Sequence, residues 1–287
     1  MVCFHRVVCM QFDLALPFAV FLVVVTSVFL YRKVEKFFTP LLEDQKFSAR
    51  DAVLMVVSMG VMVTAIAYLP GQAVQIGFIG AYLYMLFVFT YMVFKKWYLA
   101  IVSPAVFLVS YVYFWQLAVF NLFVTVFAVV ITIYMSSLFT WRTVGAFAAI
   151  LTIMDVFHVY VTGFMKQAAI EVIELKLPVI LILPRIPSGN LIGLGMGDLF
   201  LAGLLAIQTA KKLGQKAGIL VAAMNGIAMF IFEVISFNTG FAEFFPATIV
   251  VVAGWLASLG VVHLTTFKRK PPKIDIIVTE DFRKYSA

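Results

Sequence analysis

The chain has 287 residues, of which 64% are hydrophobic, 16% aromatic and only 12% charged, with a mean hydropathy of +1.07 and a formal net charge of +7. A soluble domain carries about 25% charged residues, so this composition excludes an ordinary soluble fold and indicates a polytopic membrane protein. The basic residues lie in short loops between apolar runs, which excludes nucleic acid as a partner and points instead to lipid head groups and membrane topology.

Nearly every segment is expected to be helical, because only helices and closed barrels satisfy their backbone polar groups inside a bilayer. Nine apolar spans are predicted, at 12–31, 52–69, 73–94, 97–115, 117–140, 143–162, 191–210, 217–237 and 245–263. Cys3 and Cys9 precede the first span, and two unpaired thiols are the plainer expectation there than a disulfide. The first apolar run ends in Tyr31-Arg32-Lys33 with no small-residue cleavage site, so it is expected to be a spanning helix and not a removed signal peptide. The spans group the chain into six helices over 1–162, a connection over 163–190, three helices over 191–267 and a basic tail over 268–287.

An odd number of spans puts the termini on opposite sides. One side then collects 17 Lys and Arg in the loops 32–51, 95–96, 141–142 and 211–216 and the tail, against four on the other: Arg6, Lys166, Lys176 and Arg185. The positive-inside rule places the N-terminus outside and the tail in the cytoplasm, in the cell membrane.

The long connection begins with a mixed segment, Phe164 to Leu177, whose apolar positions 165, 168, 169, 172 and 173 predict a short helix lying in the interface. Val179, Ile180, Leu181, Ile182 and Leu183 follow as a β-prone run bounded by Pro178 and Pro184. Pro187-Ser188-Gly189-Asn190 is a predicted turn leading into the seventh span.

Two acids stand inside spans, Asp155 in the sixth and Asp198 in the seventh. A carboxylate at the bilayer centre costs roughly 2.5–3.5 kcal/mol even on a lenient scale, which usually marks a functional site. Asp155 lies 13 residues after Arg142 and Asp198 lies 13 before Lys211, so in antiparallel helices both sit at one level, displaced toward the connection. No Lys or Arg lies deep in any span to pair with either acid. Two neighbouring carboxyls that share a proton can activate a water and protonate a leaving amine, which is what peptide hydrolysis requires. An ion or proton pathway uses the same groups, so a cation channel or proton-coupled transporter is the rival function. Gly193, Gly195 and Gly197 alternate ahead of Asp198, with Gly203 after it. Such small residues either pack helices closely or leave room beside the acid for an extended backbone.

With Met154-Asp155 in the sixth span, Gly195-Met196-Gly197-Asp198 in the seventh and Pro246-Ala247-Thr248 at the ninth, the chain resembles the presenilin and signal peptide peptidase group of intramembrane aspartyl proteases, above all the archaeal presenilin homologues. The resemblance implies a nine-helix presenilin-like fold and an endopeptidase that cleaves within transmembrane segments, with Asp155 and Asp198 catalytic and no cofactor or metal. It also implies that Pro246-Ala247 shapes the cleft. Met154 stands where the family has tyrosine and Thr248 where it has leucine, so the reaction is implied more firmly than the substrate. Residues 179–183 would hold an unwound substrate as an edge strand, an ordinary interfacial loop being the plain alternative. The charge tally matches the inverted, signal-peptide-peptidase orientation, which implies type II substrates whose N-terminus is cytoplasmic. Oligomeric state and natural substrates do not follow from the sequence.

Several other polar residues fall within the spans. His158 shares a helix face with Asp155 and can tune it, although an interfacial helix-end histidine is the simpler expectation. Glu233 is expected to snorkel to water, with a proton relay as its alternative. Asn121, Gln208 and Asn225 are expected to hydrogen-bond between helices.

Overall fold

The computed structural model describes residues 12–42, 46–185, 190–240 and 245–269. Cys3, Cys9, Arg6, the residues Pro187-Ser188-Gly189 of the predicted turn and the tail beyond residue 269 lie outside them. The described chain is mostly helical: α1 Ala15–Leu42, α2 Ala49–Ile66, α3 Gly71–Phe94, α4 Trp97–Tyr113, α5 Leu117–Leu138, α6 Trp141–Phe157, a π-helical turn His158–Thr162, α7 Phe164–Glu174, β1 Ile180–Pro184, β2 Leu191–Gly195, α8 Met196–Leu213, α9 Gln215–Thr239 and α10 Ala247–Arg269.

Seven helical stretches among the described residues are long and apolar enough to cross a membrane: α1, α2, α3, α5, α6 with its π-helical turn, α9 and α10. By length and composition the chain is therefore a multi-pass membrane protein. The fourth and seventh predicted spans differ from these. α4 is apolar but has 17 residues and contains Pro104. α8 carries Asp198 near one end and Lys211 and Lys212 in its last turn.

α8 is buried for a different reason. Every residue from Leu199 to Thr209 is buried, so the helix is enclosed on all sides and not only along one stripe. It lies against α1, α5, α6, α9 and α10. Close approach is possible where side chains are small: a Cβ on Gly203 would come within 2.7 Å of Thr132 Cγ2 on α5. The far end of α8 is tied down by hydrogen bonds. Gln208 Nε2 donates to the carbonyls of Ser136 and Phe139 at 2.9 Å each, and Trp255 Nε1 of α10 donates to Thr209 Oγ1 at 3.0 Å. The expected interhelical role of Gln208 is thus observed. Asn225 behaves otherwise: its amide is buried against Gly254 and makes no hydrogen bond among the described residues.

The seventh span was expected to begin at 191. The structure instead makes residues 191–195 a strand, and the helix starts at Met196. The reason is local. Gly193 and Gly195 inside a helix would each cost about 1 kcal/mol relative to alanine, whereas β1 already offers a ladder for this segment. β1 and β2 pair antiparallel with Ile180 opposite Gly195 and Pro184 opposite Leu191. Glycine is also required sterically, because a Cβ on Gly193 would lie 2.9 Å from Ile180 Cγ2. The short helix and the strand expected in the connection are both present, as α7 and β1, with boundaries shifted by about one to three residues.

Gly203→Leu should lower the thermal midpoint of the detergent-solubilised protein, with a destabilisation of about 1–3 kcal/mol from overpacking against Thr132. An unchanged midpoint would mean that α5 and α8 do not meet at this point.

Candidate functional site

Three helix ends meet at the two acids. Asp155 lies in the last turn of α6, Asp198 in the first turn of α8, and Thr248 in the first turn of α10. The ordering follows from the sequence around each end. β2 runs directly into α8 through Gly195, so Asp198 falls three residues beyond the end of the ladder. The first turn of a helix has free backbone N–H groups and a positive dipole end, a placement that suits an acidic side chain. On α6, His158 follows Asp155 by one turn and opens the π-helical turn, which ends at Gly163 with φ of 68°.

Asp155 is buried, 4% exposed, and its Oδ2 accepts a 2.9 Å hydrogen bond from the Thr248 hydroxyl. His158 also interacts with it electrostatically. Asp198 is partly exposed, and its carboxyl feels the charge of Asp155. The two acids are thus close neighbours, as equal residue counting from the flanks anticipated. No lysine or arginine acts on either carboxyl among the described residues.

The other expected site residues fall around this pair. Met154 is partly buried and packs beside Gly60 of α2, where an added Cβ would lie 2.9 Å from its Sδ. Gly195 abuts Asp198 itself, since a Cβ there would lie 3.1 Å from Oδ2. Met196 donates its N–H to Val179 O at 2.8 Å, which joins the start of β1 to the start of α8. Gly197 is exposed. Pro246 is buried just ahead of α10, and its carbonyl accepts from Ile249 N at 3.1 Å. Ala247 packs against the main core. A groove of about 660 Å³ between α2 and α6, lined by Val57, Gly60, Thr64, Ile153, Met154 and His158, reaches the helix face beside Asp155.

His158 departs from its simpler expectation. It does stand at a helix end, as the C-cap of α6, but it is buried there, with Nδ1 3.0 Å from the Met154 carbonyl. Glu233 departs as well. It does not snorkel; it is 2% exposed, and both carboxylate oxygens are buried without a hydrogen bond among the described residues. It interacts electrostatically with Asp13, ahead of α1, and with Arg185, just past β1, whose guanidinium stacks 3.6 Å over the Phe237 ring. This assembly lies away from Asp155 in sequence and was not foreseen, because a lone glutamate near a span end carries no sign of its partners.

The hairpin orients its two outer edges differently. The bonds Met196 N to Val179 O and Arg185 N to Asn190 O bracket the ladder, so the hydrogen-bonded pairs are 179/196, 181/194, 183/192 and 185/190. The backbone groups of Ile180, Ile182 and Pro184 therefore face outward on β1, and those of Leu191, Gly193 and Gly195 face outward on β2. On β1 this edge is already used. Asn121 of α5 donates Nδ2 to Ile182 O at 2.6 Å and accepts Ile182 N at Oδ1, 3.0 Å away. Asn121, expected to bridge helices, acts instead as a substitute for a third strand. No other element hydrogen-bonds to the outer edge of β2 among the described residues.

Asn121→Leu should raise amide hydrogen exchange at Ile182 and destabilise the protein by about 1–3 kcal/mol, the cost of leaving backbone groups unpaired. Unaltered protection at Ile182 would contradict the clamp.

Comparison with protein-family models finds none that matches this chain, and comparison with curated proteins finds no match either.

Proposed function

We propose that the protein is an intramembrane aspartyl endopeptidase that hydrolyses peptide bonds within transmembrane segments. The observation that carries this reading is the meeting of Asp155 and Asp198 at opposed helix ends, with no cationic partner and with a strand edge running into the second acid that is unpaired among the described residues. On this reading one carboxyl takes a proton from the attacking water while the other donates to the carbonyl oxygen, and the roles reverse as the amine departs. No metal or organic cofactor takes part. The nine-span, presenilin-like layout belongs to the proposal too, with α4 crossing as a short helix and α8 crossing in the centre of the bundle.

A spanning helix hides its carbonyls in its own hydrogen bonds, so it must unwind before cleavage. The sequence alone suggested 179–183 as the receiving strand. The clamp by Asn121 on Ile182 favours the opposite edge, Leu191, Gly193 and Gly195, which leads straight to Asp198. An extended segment paired there would gain main-chain hydrogen bonds without crossing α5. The groove between α2 and α6 offers a lateral approach from the bilayer. The basic loops support an outside N-terminus and a cytoplasmic tail, hence type II substrates.

A second reading, a proton-coupled transporter or cation channel, is favoured by one observation: Glu233 and Asp13 are further buried acids outside the Asp155–Asp198 pair. Such a protein would need its acids for flux and not for bond cleavage.

Purified protein reconstituted with a single-span model substrate separates the two. Wild type should cleave, and Asp155→Asn and Asp198→Asn should each lower turnover by about 10²–10⁴-fold or more. Equal cleavage by all three, or carboxyl-dependent ion flux without cleavage, would sink the protease. The orientation has its own check: a tag on the C-terminal tail should become accessible to antibody only after the cells are permeabilised.

A further inference from the structure

We infer that Thr248 is a positioning residue for Asp155, and that it divides the labour between the two oxygens of that carboxyl. The inference rests on the protease reading and deepens it.

The two acids are held differently. Asp155 is fixed in place: it is 4% exposed, and Oδ2 accepts the Thr248 hydroxyl at 2.9 Å from a residue that is itself 4% exposed. Asp198 accepts no side-chain or backbone hydrogen bond that ties it to another element among the described residues, and it retains exposure. A threonine hydroxyl has one proton to give, and here that proton goes to Oδ2. With one lone pair of Oδ2 engaged, Oδ1 is the freer oxygen of Asp155 for the water and for the proton shared with Asp198. The bond also fixes the carboxyl plane, because a carboxylate pinned at one oxygen loses rotation about its terminal torsion. The contact joins α6 to the first turn of α10, so the seating of Pro246, just ahead of α10, and of Ala247, its first residue, is passed to the reacting group through one hydroxyl. Leucine at this position, which the resembling proteases carry, has no proton to donate and would leave the carboxyl to find its orientation from other neighbours. In this chain those neighbours are His158 and Asp198.

The pair Thr248→Val and Thr248→Ser tests this, because valine keeps the volume and removes the hydroxyl while serine restores it. In the reconstituted cleavage assay, Thr248→Val should lower kcat by about 10- to 100-fold with KM within about twofold, the loss expected for one hydrogen bond to a charged acceptor. Thr248→Ser should recover most of kcat. A purely structural role would move both variants' thermal midpoints and would not be rescued by serine in kcat alone. Infrared difference spectra supply a readout independent of turnover. The carboxyl bands lost in Asp155→Asn should shift in Thr248→Val and return in Thr248→Ser. Wild-type kcat in Thr248→Val, or unshifted Asp155 bands, overturns the inference while the protease stands on the loss of activity in Asp155→Asn and Asp198→Asn. Failure of wild type itself to cleave overturns both.

Discussion

A helix buried on every side cannot choose where its first turn points, and α8 is such a helix. Leu199 to Thr209 are enclosed by α1, α5, α6, α9 and α10, and the far end is pinned through Gln208 and Thr209. Axial position and rotation are then set by packing, since interiors tolerate little change of volume. Asp198, one turn into the helix, inherits that fixed position. The charged residues of α8 fit this enclosure because they stand outside it: Asp198 lies in the first turn, and Lys211 and Lys212 are exposed at the last.

The remaining parts of the site converge because the neighbouring helices terminate at the same level. α6 ends where α8 and α10 begin, so two helix N-termini face the helix end that bears Asp155. The clustering of Asp155, Asp198, His158 and Thr248 is therefore a property of where three helices stop. The hairpin supplies the fourth side, secured to the bundle by Asn121 on Ile182, by Tyr82 on the Pro178 carbonyl at 3.1 Å and by Trp115 on the Lys176 carbonyl at 2.9 Å. These anchors come from α3, α5 and the turn before α5, which gives the loosely buried α3–α4 pair a structural task.

Much of this was legible in the sequence. Hydropathy placed most of the long helices to within about three residues, although α1 runs on to Leu42 past the predicted end at 31 and α10 to Arg269 past 263, and equal residue counts from Arg142 and Lys211 anticipated that the two acids would meet. The errors have a shared physical origin. Residues 191–195 read as helix in the sequence because an apolar run looks the same in either state until its partner strand is known; the period-2 glycines are the available signal. Glu233 was expected in water because burial of an acid depends on Asp13 and Arg185, which are remote in sequence. The Thr248–Asp155 bond spans 93 residues, and no spacing rule reaches that far. Side-chain partners across helices stay hidden even where the helices themselves are obvious.

The two glycines on the outer edge of β2 have a consequence for selectivity. Gly193 and Gly195 share one face of the strand, and neither presents a side chain there. A segment paired beside them under the proposed function would meet backbone and little else, so its own side chains would be judged weakly along this stretch. Discrimination would then fall on how readily a membrane helix gives up its internal hydrogen bonds, a property of its helix-weakening residues more than of any recognition motif. The edge would select for willingness to unfold and not for a sequence.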